Sequence, residues 1–375
     1  MLADRTSRFS ISGIRDMFGL TRPDSINLGL GQPDFDTPKH IKEAAKDAID
    51  EGFCSYTPNK GYPELLDAIS DYYRRYGLDA SQENIIVTAG GSEGLHLAFE
   101  VLINPGDQVI VPDPGFVAYS SLAYLAGGTP VSARLKPEND FVLLSEDVAD
   151  LITNKTKALV LNSPSNPTGS VQPRDEIRAI VELAQDYNFY IISDEVYDRI
   201  LYEGEHVSPA SIDPERVIVI NALSKTFAMT GWRLGYTIAP HNATEEMLKV
   251  HQYIQACASS VSQKAAFAAL VGSQDFVNSM VSEFRQRKNL VLKRLKGVAE
   301  CVSPKGAFYV FPYIAAYGHS RDVAMKLAKN GVIVVAGQAF GQYGEGYIRI
   351  SYAADRKKID RAFDIIERVL NLDKR

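Results

Sequence analysis

The sequence predicts an α/β protein: a mostly parallel sheet covered by helices on both faces, followed by a second, smaller α/β layer. Two observations carry this. Short, β-rich runs of continuous apolar character alternate with helical stretches up to about residue 240, and strands apolar on both faces belong to sheets covered on both sides. Beyond that point the alternation gives way to a long helical stretch and three further apolar runs, which read as a second, smaller layer.

Taken in order, "NIIVTAG" (84–90) reads as a strand and "SEGLHLAFEVL" (92–102) as the helix after it. "DQVIVPD" and "TKALVLNSP" (156–164) are strands. A helix over 173–188 places Ile177, Ile180, Val181 and Ala184 on one face, with Pro173 suited to its first turn. "FYIISDE" (189–195) and "RVIVINA" (216–222) are strands again. Roughly 243–297 reads as helical. "GAFYVFPYI", "GVIVVAG" and "GYIRISYA" then form the smaller layer, and a last helix carries Ile359, Phe363, Ile366 and Leu370 on one face.

The chain has 375 residues, enough for two compact domains. A net charge of −6 offers no basic field to nucleic acid or to an anionic membrane. No apolar run approaches bilayer length, and the first residues lack an apolar signal core. Cys54, Cys257 and Cys301 are widely separated, which excludes a disulfide framework or CxxC metal site and suits the cytoplasm. The six histidines show no metal-binding pairing, so no metal is expected.

Ligands of open α/β sheets bind beyond the carboxyl ends of the strands. The residues expected there are Gly91-Ser92, Phe116, Asn166, Asp194 and Ser224-Lys225. "GGSEG", between a strand and a helix, suits an anion held on free helix N–H groups; it also fits G-x-S-x-G, with Ser92 as a hydrolase nucleophile. Asp194, directly after an apolar strand, needs a partner if buried, and a cationic ring nitrogen is one. "NSPSNPTG" has two X-Pro bonds in six residues and holds Asn166 rigidly. Lys225 ends an apolar run where an ordinary lysine would be a solvated loop residue. Partly desolvated there, its amine becomes available as nucleophile and base. Arg233, eight residues on, suits phosphate oxygens, Trp232 suits packing, and Arg349, alternating with apolar residues, needs a carboxylate partner.

The ordered set "INLGLGQPDFDTP", "YTPNKGYPELLDAI", "VTAGGSEGL", "PDPGFVAY", "NSPSNPTG", "SDEVYD", "SKTFAMTGWRLGY", "KGAFYVFP" and "GYIRISYA" spans nearly the whole chain. It resembles the class I/II pyridoxal-phosphate aminotransferases of fold type I, most nearly their archaeal aspartate/aromatic branch. The resemblance implies a seven-stranded, mostly parallel sheet in a large domain, 41–280, and a small α/β domain from 1–40 and 281–375. It implies pyridoxal 5'-phosphate bonded to Lys225, with Asp194 on the ring nitrogen, Tyr197 and Asn166 on the ring's phenolic oxygen and Phe116 on the ring face. Gly91, Ser92, Ser224 and Arg233 would cradle the phosphate, and Ala222 stands where some relatives add a hydroxyl. Tyr56 would reach the phosphate of a neighbouring subunit in a homodimer. Arg349, with Asn166 and Gly31 nearby, would hold the substrate α-carboxylate.

The implied activity is ping-pong transfer of an amino group from an L-amino acid, aromatic or aspartate, to 2-oxoglutarate. No residue reads as a cation for a second carboxylate, and Phe18, Tyr62 and Tyr124 are candidate aromatic walls for the side chain. A lyase, decarboxylase or synthase on the same cofactor shares these residues. The Ser92 hydrolase lacks an assignable triad histidine.

Overall fold

The computed structural model describes residues 4–9, 19 and 22–371. Phe18 lies outside the described residues. The strands are β1 (Ile26–Asn27), β2 (Ile85–Thr88), β3 (Gln108–Asp113), β4 (Thr129–Arg134), β5 (Thr156–Asn162), β6 (Tyr190–Asp194), β7 (Val217–Ala222), β8 (Gly235–Ile238), β9 (Tyr309–Val310), β10 (Val332–Ile333), β11 (Val335–Ala336) and β12 (Ile348–Ser351). Seven of them form one sheet in the order β2-β8-β7-β6-β5-β3-β4. Only β8 runs against its neighbours, β2 and β7.

Side-chain alternation along these strands divides the interior into two layers. Ile191 and Val219 face one cluster, with Ile177, Ile180, Val181 and Ala184 of the helix Arg174–Asp186. Ile192, Ile218 and Ile220 face the other, with Leu95 and Phe99 of the helix Gly91–Leu102. This explains the continuous apolar runs: both faces of the sheet are covered. Pro173 caps the helix from outside its first turn.

The remaining strands make a two-stranded sheet, β1-β10, and a three-stranded one, β11-β12-β9. Their core gathers Phe308, Val332, Ile333 and Ile350 with Ile359, Phe363, Ile366 and Leu370 of the last helix, Arg356–Asn371. The expected helical stretch 243–297 is three helices, His241–Ile254, Ser260–Val271 and Asp275–Leu295. It breaks where Ala256 takes φ 63° and its carbonyl accepts the Asn59 amide at 2.6 Å, and again at Gly272, where a Cβ would meet the Ala268 carbonyl at 2.6 Å.

Candidate active site

β5, β6 and β7 deliver their last residues to one edge, and a cavity of about 490 Å³ opens there. Asp194 ends β6 and is 4% exposed. Tyr119, on the first turn of the helix Ala118–Leu125, donates to Asp194 Oδ2 at 2.7 Å. Burial raises the Asp194 carboxyl to about 6, although the Tyr119 hydroxyl, the Val196 N–H and Lys225 all pull it down.

Lys225 stands on the single turn Leu223–Thr226 that follows β7. Its Nζ donates to the Gly31 carbonyl at 2.7 Å. Burial, then the nearby Arg349 charge, brings its amine down to about 8; Asp194 opposes this and Arg233 reinforces it. A substantial neutral fraction at neutral pH is what a nucleophilic amine requires.

Arg349, on β12, is 2% exposed. Its Nη1 donates to Asn166 Oδ1 at 2.8 Å and its Nη2 to the Gly29 carbonyl at 2.6 Å. Its guanidinium lies 4.5 Å from the Tyr309 ring centre and 4.9 Å from that of Phe340. Nε is buried with no partner among the described residues. Phe340 is itself fixed from the large sheet: its carbonyl accepts the Gly115 N–H at 2.8 Å, while Asp113 accepts the N–H groups of Gln342 and Tyr343. Asn166 is oriented from behind by Asn162, whose Oδ1 accepts the Asn166 N–H at 2.9 Å. Asn162 Nδ2 donates to the Asp194 carbonyl, tying β5 to β6 at the cavity floor.

Gly91, Ser92, Ser224 and Arg233 line the same cavity. Gly90 takes φ 83°, and a Cβ there would stand 2.7 Å from Arg233 Nη2. Only glycine therefore lets the guanidinium close on the first turn of the helix Gly91–Leu102, whose leading N–H groups lack intrahelical acceptors.

The family model for aminotransferase class I and II matches residues 23–366. The chain is 46% identical over 376 residues to a probable aspartate aminotransferase of Methanocaldococcus jannaschii, covering 98% of this chain and all of that one. It is 41% identical to aromatic-amino-acid aminotransferase 2 of Thermococcus litoralis, covering 98% of each. The aspartate aminotransferase of Thermus thermophilus with maleate superposes with a TM-score of 0.96 at 38% identity, over 99% of this chain and all of that one. The chain belongs to the class I and II aminotransferase family. It is a pyridoxal-phosphate-dependent transaminase acting on amino and 2-oxo acids.

The residues of this aminotransferase fit the cofactor on their own chemistry. The Gly90–Arg233 contact and helix terminus make an anion site, Asp194 is a buried carboxylate with one side-chain donor, and Lys225 is a desolvated amine between them. No histidine lines the cavity among the described residues, so a Ser92 triad finds no histidine there.

Gly31, Phe116 and Tyr197 also line the cavity. Tyr56 does not: it is 87% exposed on its own chain's surface, as is Tyr253. Tyr62 and Tyr124 are not aromatic walls within the chain. The Tyr62 ring is taken up by Phe53 and Lys264. Tyr124, on the same helix as Tyr119, is not among the residues that line the cavity. Trp232 packs against the core, its Nε1 donating to Thr37 Oγ1.

Two cavity residues lie in quoted motifs without having been assigned. Tyr119 follows Phe116 by three residues, and that spacing on a helical turn is the signal that finds it. Tyr309 hydrogen-bonds the Tyr197 hydroxyl at 2.8 Å, and a Cβ on Gly31 would meet its oxygen at 2.6 Å. These partners lie far away in sequence, and no local pattern reveals them.

Proposed function

We propose that the aminotransferase moves the amino group of aromatic L-amino acids and of aspartate to 2-oxoglutarate by a ping-pong mechanism. The observation that carries this is one cavity holding a neutralisable amine, Lys225, a buried carboxylate, Asp194, and a guanidinium, Arg349, with Nε unpaired among the described residues. Its relatives among aspartate and aromatic-amino-acid aminotransferases suggest the substrate classes.

Bound here, the cofactor supplies an electron sink for the pair of electrons left when the substrate Cα loses its proton. Asp194 keeps a proton on the ring nitrogen. Lys225 Nζ would hold the cofactor at rest, take the proton from the donor's Cα in the first half-reaction and deliver one to the acceptor's Cα in the second. Tyr197 and Asn166 hydrogen-bond the ring oxygen, and Phe116 covers the ring. Gly91, Ser92, Ser224 and Arg233 hold the phosphate. Arg349, with Asn166 and near Gly31, orients the α-carboxylate shared by both half-reactions.

The same reading places the large domain at 41–280 and the small one at 1–40 and 281–375. It is supported by the confinement of the seven-stranded sheet to residues 85–238. It also makes the active unit a cytoplasmic homodimer, Tyr56 reaching the neighbour's phosphate, for which its exposure outside its own cavity leaves it available.

A panel of amino donors with 2-oxoglutarate tests the substrate reading. Tyrosine, phenylalanine and aspartate are expected to form their 2-oxo acids with one glutamate formed for each amine transferred. Strict aspartate use, or carbon dioxide or ammonia released in place of amine transfer, would overturn it. For the dimer, a Tyr56→Phe chain is mixed with a Lys225→Ala chain. Hybrids then hold one site with both lesions and one with neither, so activity is expected to return in part. No recovery despite proven subunit exchange would place Tyr56 in its own chain's site.

A further inference from the structure

Directly behind Asp194, on the face away from the cavity, lies a second cluster of buried ionisable groups that the reaction does not touch. Ser193 and Glu195 flank Asp194 and turn to this opposite side. Glu195 is 1% exposed and its four acceptor positions are filled. Ser193 Oγ and Ser208 Oγ reach Oε1 at 2.8 and 2.7 Å. Tyr73 OH and His206 Nε2 reach Oε2 at 3.1 and 2.9 Å. Three hydroxyl donors and the His206 ring nitrogen around one carboxyl suit a carboxylate anion, while His206 Nδ1 is buried with no partner among the described residues.

Asp198, also 1% exposed, accepts from Tyr72 OH at 2.7 Å, Tyr76 OH at 3.1 Å and Thr226 Oγ1 at 3.3 Å. Three carboxylates thus lie buried within five consecutive residues. Both rear carboxylates reach the turn that carries Lys225. Asp198 does so through Thr226, the next residue. Glu195 does so through Tyr73, which accepts Asn221 Nδ2 at 2.8 Å, while Asn221 Oδ1 accepts the Ala222 N–H.

Among the described residues, the groups facing this cluster are Tyr72 and Tyr73 from the helix Pro63–Arg74, Arg75 and Tyr76 just beyond it, Tyr236 from β8, Arg199 from the turn after β6, and His206. The tyrosines are held neutral by burial, their ionisation pushed far above the ordinary value. Arg199 acts on Tyr72 and Tyr76, on the Asp198 side. His206 alone carries an ionisable cation into contact with Glu195, with both side chains 1% exposed. Burial opposes the imidazolium, but the Glu195 charge and hydrogen bond outweigh it and raise His206 above the ordinary histidine range. The Tyr76 ring stands edge-on to the imidazole at 4.7 Å.

We propose that His206 is a positioning residue for transamination: it offsets the buried charge of Glu195 behind the site, so that Asp194 in front keeps its own charge for the cofactor ring. The physical need is plain. Two adjacent carboxylates in a low-dielectric interior raise each other's affinity for protons. Asp194 already stands at about 6, raised mostly by burial and further by Glu195 against the pull of Tyr119, the Val196 N–H and Lys225. A neutral Asp194 would no longer hold the ring proton.

The inference rests on Asp194 being the partner of the ring nitrogen, and the variants separate the two ideas. His206→Gln keeps a donor near the Nε2 position and removes the charge. In the holoenzyme, the visible-absorbance titration of the bound cofactor and the acid limb of the kcat profile are both expected to move up by about half to one pH unit. Glu195→Gln, alone or with His206→Gln, is expected to give no upward shift, because the uncompensated anion is gone. Asp194→Asn is expected to displace the cofactor spectrum itself; an unchanged spectrum there would refute the role of Asp194 and leave the inference without its premise.

A His206→Gln enzyme that melts earlier but titrates as the parent would overturn the inference, because lost packing lowers Tm without moving a protonation midpoint. Part of that loss is expected: the charged His206 stabilises the fold fully below about pH 6.5, and the contribution disappears as pH rises through its higher folded value. Should His206→Gln fail to fold, the imidazole ¹⁵N shifts of His206 in the unaltered holoenzyme decide. A doubly protonated ring at pH 7 supports the inference, and a neutral ring overturns it.

Discussion

Lys225→Ala is expected to lose transamination by about 10⁴-fold or more while still binding the cofactor. The size follows from removing the covalent anchor and the proton carrier together, the second alone contributing about 10²–10⁴. Binding is expected to survive because the proposed phosphate ligands Gly91, Ser92 and Arg233 stand on other turns of the chain. The check is paired: cofactor retained after gel filtration, and single-turnover amine transfer followed by absorbance. Normal turnover would refute the assignment. In the unaltered apoenzyme, covalent capture of added cofactor is expected to fall as pH drops below about 8. There the Lys225 amine is increasingly protonated, and only its neutral form attacks.

Arg349→Ala is expected to lower kcat/KM by roughly two to four orders of magnitude for every donor and every acceptor. The α-carboxylate is common to all of them, and a forked guanidinium in a desolvated site is its strongest neutral-pH partner. The variant also strands Asn166 Oδ1 and the Gly29 carbonyl, which lose their 2.8 and 2.6 Å donors. Arg349→Lys restores charge without the fork and is expected to recover only part of the loss. Steady-state kinetics across monocarboxylic and dicarboxylic substrates check this. A defect confined to dicarboxylic substrates would mean that Arg349 reads the side-chain carboxylate.

The reach of the sequence differs from residue to residue. Asp194 and Lys225 were legible because each directly follows a continuous apolar strand, and a parallel sheet sends such residues to one edge. The face formed by Ile177, Ile180, Val181 and Ala184 was legible for the same local reason, as helical spacing is written in neighbouring residues. The division of 243–297 into three helices was not. One break depends on Ala256 being held by Asn59, nearly two hundred residues earlier. Nor was the fate of Tyr62, whose aromatic character suited a substrate wall until Phe53 and Lys264 claimed its ring. Tyr119 and Tyr309 each acquire a role only through a hydroxyl contact with a distant chain segment.

By itself the sequence determined the alternation of strands and helices, the placement of Lys225, Asp194 and Ser92 at strand ends, and, through the ordered motifs, the family and its cofactor. These depend on periodicity and on residue type at a position, both local properties. Tertiary structure alone decided the chemistry those residues acquire. Lys225 comes down to about 8 and Asp194 rises to about 6 because of burial and neighbouring charges, neither of which a residue carries with it. Arg349 is oriented by a carbonyl 320 residues away, and Glu195 meets His206 only because the chain turns back behind β6. Proton affinity and hydrogen-bond direction are set by what lies within a few ångströms in space, and folding, not sequence proximity, fixes that.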